Sequence, residues 1–285
     1  MKFFKFLSAL LIIATLFSCS SDGADSGAGA DFFNLTYNGQ TKNVTNWQGI
    51  KHGDFIDVYG TTDGTTGLGI DFKFNIYGNL YKAYTFPTIE SSPFSVKVVS
   101  DHFSANTFTF QLIELNATDK TIRVNYEGKV YDDKFNHTSN FAVVKGSFKV
   151  TYVEAQSVMN DLGTYAELNG QAWHGLAFTT YNTSNSTVLN VKNDSEYEIG
   201  ISYPSNAPVT GTFAFTSNAD DNRIKFSKYE VATHSLIEYN VNGTITYTRA
   251  NNNNVEGIFN LIATHPTNGS TITITNGTFS ESSTI

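Results

Sequence analysis

The chain has 285 residues, 15% of them charged, and a formal net charge of −8. That acid surplus argues against the basic surface that holds nucleic acid, and a single cysteine excludes an intrachain disulfide framework. With 40% hydrophobic and 14% aromatic residues the chain has enough apolar mass for a real core, and its length allows one large domain or two of about 140 residues.

Lys2 and Lys5 form a positive start, and Leu7 to Phe17 form an apolar run. The run is too short for the roughly 20 residues of a spanning helix and reads as a secretory signal. It ends in Leu16-Phe17-Ser18-Cys19. A Leu three before a Cys, with a small residue just ahead of it, resembles the lipobox of bacterial lipoproteins; Phe17 is a variant seen in Bacteroidetes-type lipoproteins. The resemblance implies cleavage after residue 18 and lipid on Cys19, hence a membrane partner. Several acyl chains hold stably where one is marginal. Losing Lys2 and Lys5 would leave a net charge of −10. Residues 19–30 are Ser, Asp, Gly and Ala after the Cys, a flexible tether. Its start, Ser20 to Asp25, resembles a sparse version of the acidic export signal of Bacteroidetes surface lipoproteins. The expected location is the outer membrane, lipid-anchored and facing outward or toward the periplasm.

The rest repeats itself. Asn38-Gly39-Gln40 matches Asn169-Gly170-Gln171, and Trp47-Gln48-Gly49 matches Trp173-His174-Gly175. Glu127-Gly128 matches Glu256-Gly257, and Gly146-Ser147-Phe148 matches Gly277-Thr278-Phe279. The order and near-constant offset predict two copies, 31–153 and 165–285, joined by a linker over 154–164. The five extra residues between Asn-Gly and Trp in the first copy read as a loop insertion.

Within each copy the period is two. Leu68, Ile70, Phe72, Phe74 and Ile76 alternate with small and polar residues, as do Ile122 to Val130, Tyr197 to Tyr203 and Tyr239 to Tyr247. Turn clusters separate the runs at Asp63-Gly64, Gly78-Asn79, Asn116 to Lys120, Asn182 to Ser186, Asn218 to Asn222 and Asn251 to Asn254. Only Glu154 to Leu162 has the makings of a helical turn. The expectation is an all-β protein: two tandem antiparallel domains of about eight or nine strands each. A β-sandwich and an open barrel both fit, and the lack of a barrel-closing Gly periodicity leans toward the sandwich. Gly-x-Phe recurs, and Gly in a strand marks a bend or close approach. The Phe two residues on shares its face and is expected to cover the gap.

The series Asn169-Gly170-Gln171-Ala172-Trp173, Val209 to Phe213, Asn242 to Thr246, Val255 to Phe259 and Thr275 to Phe279 resembles an uncharacterised β-domain family of Bacteroidetes lipoproteins. The first copy resembles it more loosely. The resemblance implies compartment and fold, and brings no catalytic residues with it.

No chemistry-bearing constellation emerges. The six His hold no zinc spacing, and a Gly-x-Ser-x-Gly elbow, a phosphate-binding glycine loop and a dinucleotide fingerprint are all absent, so no metal or cofactor is expected. Asp132-Asp133 and Asp220-Asp221 are the visible acid pairs, both in predicted turns. Aromatics are the remaining lead, because Tyr and Trp on a β surface stack on sugars or peptides. Tyr77, Tyr81 and Tyr84 are dense for a connecting region, and with Trp47 and Trp173 they are the candidate ligand-binding residues. The expected function is non-catalytic binding of a glycan, peptide or protein partner; the alternative is a carrier of a small apolar ligand inside a barrel-like cavity.

Overall fold

Alternating side chains leave a strand on opposite faces, so a period-two chain buries one face only by curling or stacking its sheets. The computed structural model describes residues 29–64, 66–155, 162–205, 209–219, 221–250 and 254–282. The signal peptide, Cys19 and most of the tether lie outside the described residues, as do Asp220 and residues 156–161, which hold most of the expected helical turn.

The first sheet holds β1 (Phe32–Tyr37), β2 (Gln40–His52), β3 (Phe55–Thr62), β4 (Leu68–Asn75), β5 (Leu80–Pro87), β6 (Lys97–Val98), β7 (Phe108–Asn116), β8 (Thr121–Tyr131) and β9 (Phe141–Glu154). The second holds β10 (Gly163–Leu168), β11 (Gln171–Asn182), β12 (Ser186–Lys192), β13 (Tyr197–Pro204), β14 (Gly211–Thr216), β15 (Arg223–Glu230), β16 (Ser235–Glu238), β17 (Asn240–Ala250), β18 (Asn254–Thr264) and β19 (Thr271–Ser282). The protein is all-β, in two tandem curled sheets of nine and ten strands. Among the described residues the one helical element is a 3-10 turn at Ser104–Asn106.

The pairings favour barrels over the sandwich. In the first sheet β2 to β6 pair in sequence, β6 meets β8 at Val98–Tyr131, β8 pairs β9, and β9 returns to β2 through a short parallel stretch from Gly49–Tyr152. That ring closes, which removes sheet edges. β1 wedges between β9 and β2, and β7 flanks β8 outside the ring. In the second sheet β16 pairs β15, and the Tyr239 N–H then donates to the Phe226 carbonyl at 2.9 Å. The chain continues at once into β17, which pairs β18 instead. One bent strand thus changes neighbours at Tyr239 and brings β15 round to β18. The five extra residues of the first copy form no loop. Instead β2 runs unbroken from Gln40 to His52 with a bulge beside Val44, 13 residues against 12 in β11, so Trp47 falls eighth on its strand and Trp173 third.

Curvature comes from paired glycines rather than periodic ones. On β18 and β19, Gly257 lies opposite Phe279 while Phe259 lies opposite Gly277. Each ring covers the glycine of the other strand, closer than a Cβ would tolerate. In the first copy Tyr126 covers Gly146 and Phe108 covers Gly128 in the same way. At these glycines the expected cover by the Phe two residues on is corrected: the covering ring comes from across the ladder, where the opposed side chain reaches over the missing Cβ, whereas at Gly211 the ring in contact is Phe213, two residues on.

The two Asn-Gly turns are equivalent in detail. Both central residues have positive φ, at 48° and 75° for Asn38-Gly39 and 50° and 80° for Asn169-Gly170. This is the two-residue hairpin turn whose twist matches its strands. Asn38 exchanges hydrogen bonds with Val143, N–H to carbonyl at 2.8 Å and Oδ1 from N–H at 2.8 Å. Asn169 does the same with Thr273, at 2.8 and 2.9 Å.

Each barrel is filled by its own side chains. Phe33, Phe72, Phe74, Phe108, Tyr126 and Phe148 occupy the first core, with Phe72 and Tyr126 ring centroids 4.6 Å apart. Phe226, Tyr239, Tyr247, Phe259 and Phe279 occupy the second. Residues Asp31–Ile285 form one compact unit despite these separate cores.

Candidate functional site

Strands β1, β9, β8 and β7 lie side by side, so their outward positions share one surface. Period two turns Thr36, Thr109, Gln111, Asn125, Glu127, Lys145 and Ser147 to that side. They line a groove of about 540 Å³. Gly146 and Tyr126 form its floor. The Tyr126 hydroxyl donates to the Asn34 carbonyl at 2.9 Å, and a Cβ on Gly146 would strike both groups. Glycine there keeps the floor low. The Thr36 hydroxyl donates to the Lys145 carbonyl at 3.0 Å, and Lys145 Nζ lies 2.9 Å from Glu127 Oε2. The lining therefore offers amides, hydroxyls and one exposed ion pair. Its carboxylate is held by a lysine and faces no second acid within the lining, so it suits hydrogen-bonded recognition better than acid–base chemistry.

The five sequence-derived candidates do not form one patch. Trp173 is 5% exposed, packed in the second core, with its indole N–H donating to Ser195 Oγ at 3.1 Å. Trp47 is half-buried against the first core. Tyr81 is buried; Asn75 Nδ2 donates to its hydroxyl oxygen at 2.9 Å, and burial pushes its pKa above the ordinary tyrosine range. Tyr84 lies on the outer face of β5 opposite Asp71. Burial and then the Asp71 charge push its pKa up to about 12, while burial and then Asp57 push Asp71 up to about 6. Tyr77 stacks on His174 of the second copy, centroids 3.9 Å apart and planes 9° off parallel. Tyr77 thus belongs to the seam between the copies.

That seam is the feature sequence reasoning missed. Tyr165 donates its hydroxyl to Asp54 Oδ2 at 2.8 Å, and Asn79 Nδ2 donates to Asp194 Oδ1 at 3.2 Å. The Ala105 N–H donates to the Asp194 carbonyl at 2.9 Å. Lys192 lies 2.7 Å from both the Asp101 carbonyl oxygen and Oδ1, and Lys134 adds a second contact to that carboxylate at 3.1 Å. Burial alone would raise the Asp101 pKa, but the two lysines hold it below the usual carboxylate range. His102 Nδ1 meets Glu198 Oε1 at 2.6 Å. The Tyr229 ring stacks on His102 and stands near His137, which faces His234 with centroids 6.1 Å apart. Four of the six histidines lie here, drawn from residues far apart in sequence, so no spacing could flag them.

The turn acids are used structurally. Asp132 Oδ1 receives Lys97 Nζ at 2.5 Å, while Asp133 Oδ1 caps the turn by accepting the Phe135 N–H at 2.9 Å. His265 Nδ1 accepts the Thr267 and Asn268 N–H groups. No cluster of three metal-ligating side chains occurs among the described residues.

No curated protein matches the chain, and no solved structure matches it. Residues 160–282, the second sheet, match the model of an uncharacterised family described as Domain of unknown function (DUF6252).

Proposed function

We propose that the protein is a lipid-anchored cell-envelope protein, non-catalytic, that holds a polyhydroxylated ligand of the glycan class in the outer groove of its first sheet. The groove carries this reading: about 540 Å³ lined by side-chain amides, hydroxyls and a lysine–glutamate pair. Such a lining can match the alternating donors and acceptors of a sugar chain. The Leu16 to Cys19 resemblance supports the anchor, and the tether would hold the groove clear of the membrane. The outer membrane is the proposed location, and the bacterial lipoprotein family the proposed kinship. Interiors filled by aromatic rings leave the apolar-carrier reading without support.

Calorimetric titration of the chain from residue 20 with envelope and host glycans tests the ligand. Binding that weakens at least tenfold in Gln111→Ala and Asn125→Ala supports the reading. Equal affinity in both variants, or no binding across the panel, sinks it. Labelling with an alkyne fatty acid tests the anchor, since the label should be lost in Cys19→Ser.

A further inference from the structure

The seam contains two histidines that meet no free carboxylate for a second proton. We infer that His137 and His174 make the seam an acid-released latch, which closes the two barrels on each other at neutral pH and frees them when both imidazoles are charged. Ser100 Oγ lies 2.6 Å from the His102 carbonyl and 2.5 Å from His137 Nε2. The hydroxyl hydrogen goes to the carbonyl, so Nε2 carries the hydrogen and Nδ1 is the nitrogen left to titrate. Burial, then His234 and His102, set the His137 pKa below the ordinary value. At the other end of the seam, His174 stacks on Tyr77, and its Nδ1 is buried with no hydrogen-bond partner. Burial lowers its pKa too, and Asp54 offsets this only in part.

The charged groups facing the two rings are already committed. Glu198 on β13 is bound to His102, and Asp101 is held by Lys192 of β12 and Lys134. Glu230 on β15 contacts His265 at 3.3 Å. Asp54 accepts the Tyr165 hydroxyl on β10, and Asp194 accepts Asn79. Lys228 on β15 points over the Tyr197 ring, and the Tyr229 hydroxyl lies 3.4 Å from His234 Nδ1. A proton on His137 therefore meets two imidazoles and no free carboxylate, and a proton on His174 Nδ1 meets no acceptor. Separating the copies hydrates both rings and restores their ordinary basicity. The open form binds more protons, so the closed form is stable above the open-form pKa near 6.5 and loses ground as pH falls below it. The limit is tenfold per histidine per pH unit, a hundredfold for the pair.

The Ala105 amide reports the latch directly, because its acceptor is the Asp194 carbonyl across the seam. Hydrogen exchange of the full tandem chain should be followed from pH 7.5 to 4.5, corrected for intrinsic rates, with Val124 in the first core as internal reference. The expected result is Ala105 protection that falls at least tenfold below pH 6 while Val124 stays protected. The same loss should be much smaller in the His137→Gln/His174→Gln double variant. PH-independent Ala105 protection in the parent, or an equal loss in the double variant with Val124 protected in both, overturns the latch. Val124 protection at pH 7.5 certifies that the variant is folded; if it is lost, the single variants are measured, and each should remove about half of the logarithmic pH response.

Discussion

Replacing Glu281 by Gln should stabilise the protein at neutral pH. Glu281 lies on β19 at 0% exposure, on the inward face that also carries Gly277 and Phe279. Its Oε1 accepts the Thr164 hydroxyl at 2.7 Å and its Oε2 accepts the Ala177 N–H at 3.1 Å. Burial pushes its pKa up to about 8, against an ordinary value of 4.5, and the two hydrogen bonds only partly oppose this. The folded form thus holds a proton that the unfolded form gives up. Its contribution is fully present below pH 4.5, erodes by about 1.4 kcal/mol per unit as pH rises, and stops changing above pH 8. By pH 7 the loss is about 3 kcal/mol, a large share of a typical 5–15 kcal/mol stability. Gln keeps the shape and one carbonyl acceptor for Ala177, and the Thr164 hydroxyl can turn to accept its amide hydrogen. Urea unfolding of both proteins at pH 5, 6, 7 and 8 should show the Gln variant gaining on the parent at each step. Titration of the seam histidines is common to both and cancels in the difference. Two stability curves that run parallel from pH 5 to 8 would refute the buried, protonated carboxyl.

Three further outcomes follow from the packing. Gly257→Ala drives a Cβ into the Thr246 carbonyl and the Phe279 ring, and should cost about 1–3 kcal/mol or more of unfolding free energy in denaturant titration; Gly39→Ala, whose Cβ would meet nothing within 4 Å, should show only the smaller strain of its positive φ. Asn169→Ala loses the Oδ1 acceptor of the Thr273 N–H and puts alanine at φ 50°, so a loss of about 1–2 kcal/mol is expected, with Asn38→Ala behaving alike. Lys192→Met removes the buried cation that faces Asp101 and should lower thermal stability by about 2 kcal/mol, with Ala105 exchanging faster than the cores at pH 7.5.

The strands were legible because their signal is local. The alternation from Leu68 to Phe74 sets which faces are inward whatever the sheet does later, and β4 buries those residues. Asn-Gly specifies its turn because both residues tolerate positive φ, so the hairpins at 38–39 and 169–170 could be read directly. The same period also marks Glu281 as inward, two residues beyond Phe279, a signal available in the sequence and not drawn on. The lipobox resemblance ends at Cys19, so the anchor was argued from sequence alone.

Tertiary structure decided what depends on residues far apart in the chain. Whether a sheet of this pattern stacks or closes turns on a few cross-strand contacts, such as Val98 with Tyr131 and Tyr239 with Phe226, and alternation is blind to them. The cover of Gly257 and Gly277 comes from the opposed strand, so register had to be known first. The sequence alone determined the element type, the turns and the doubling. Only the fold could place His102, His137, His174 and His234 along one seam, because imidazoles up to 132 residues apart come together through packing and carry no periodic trace.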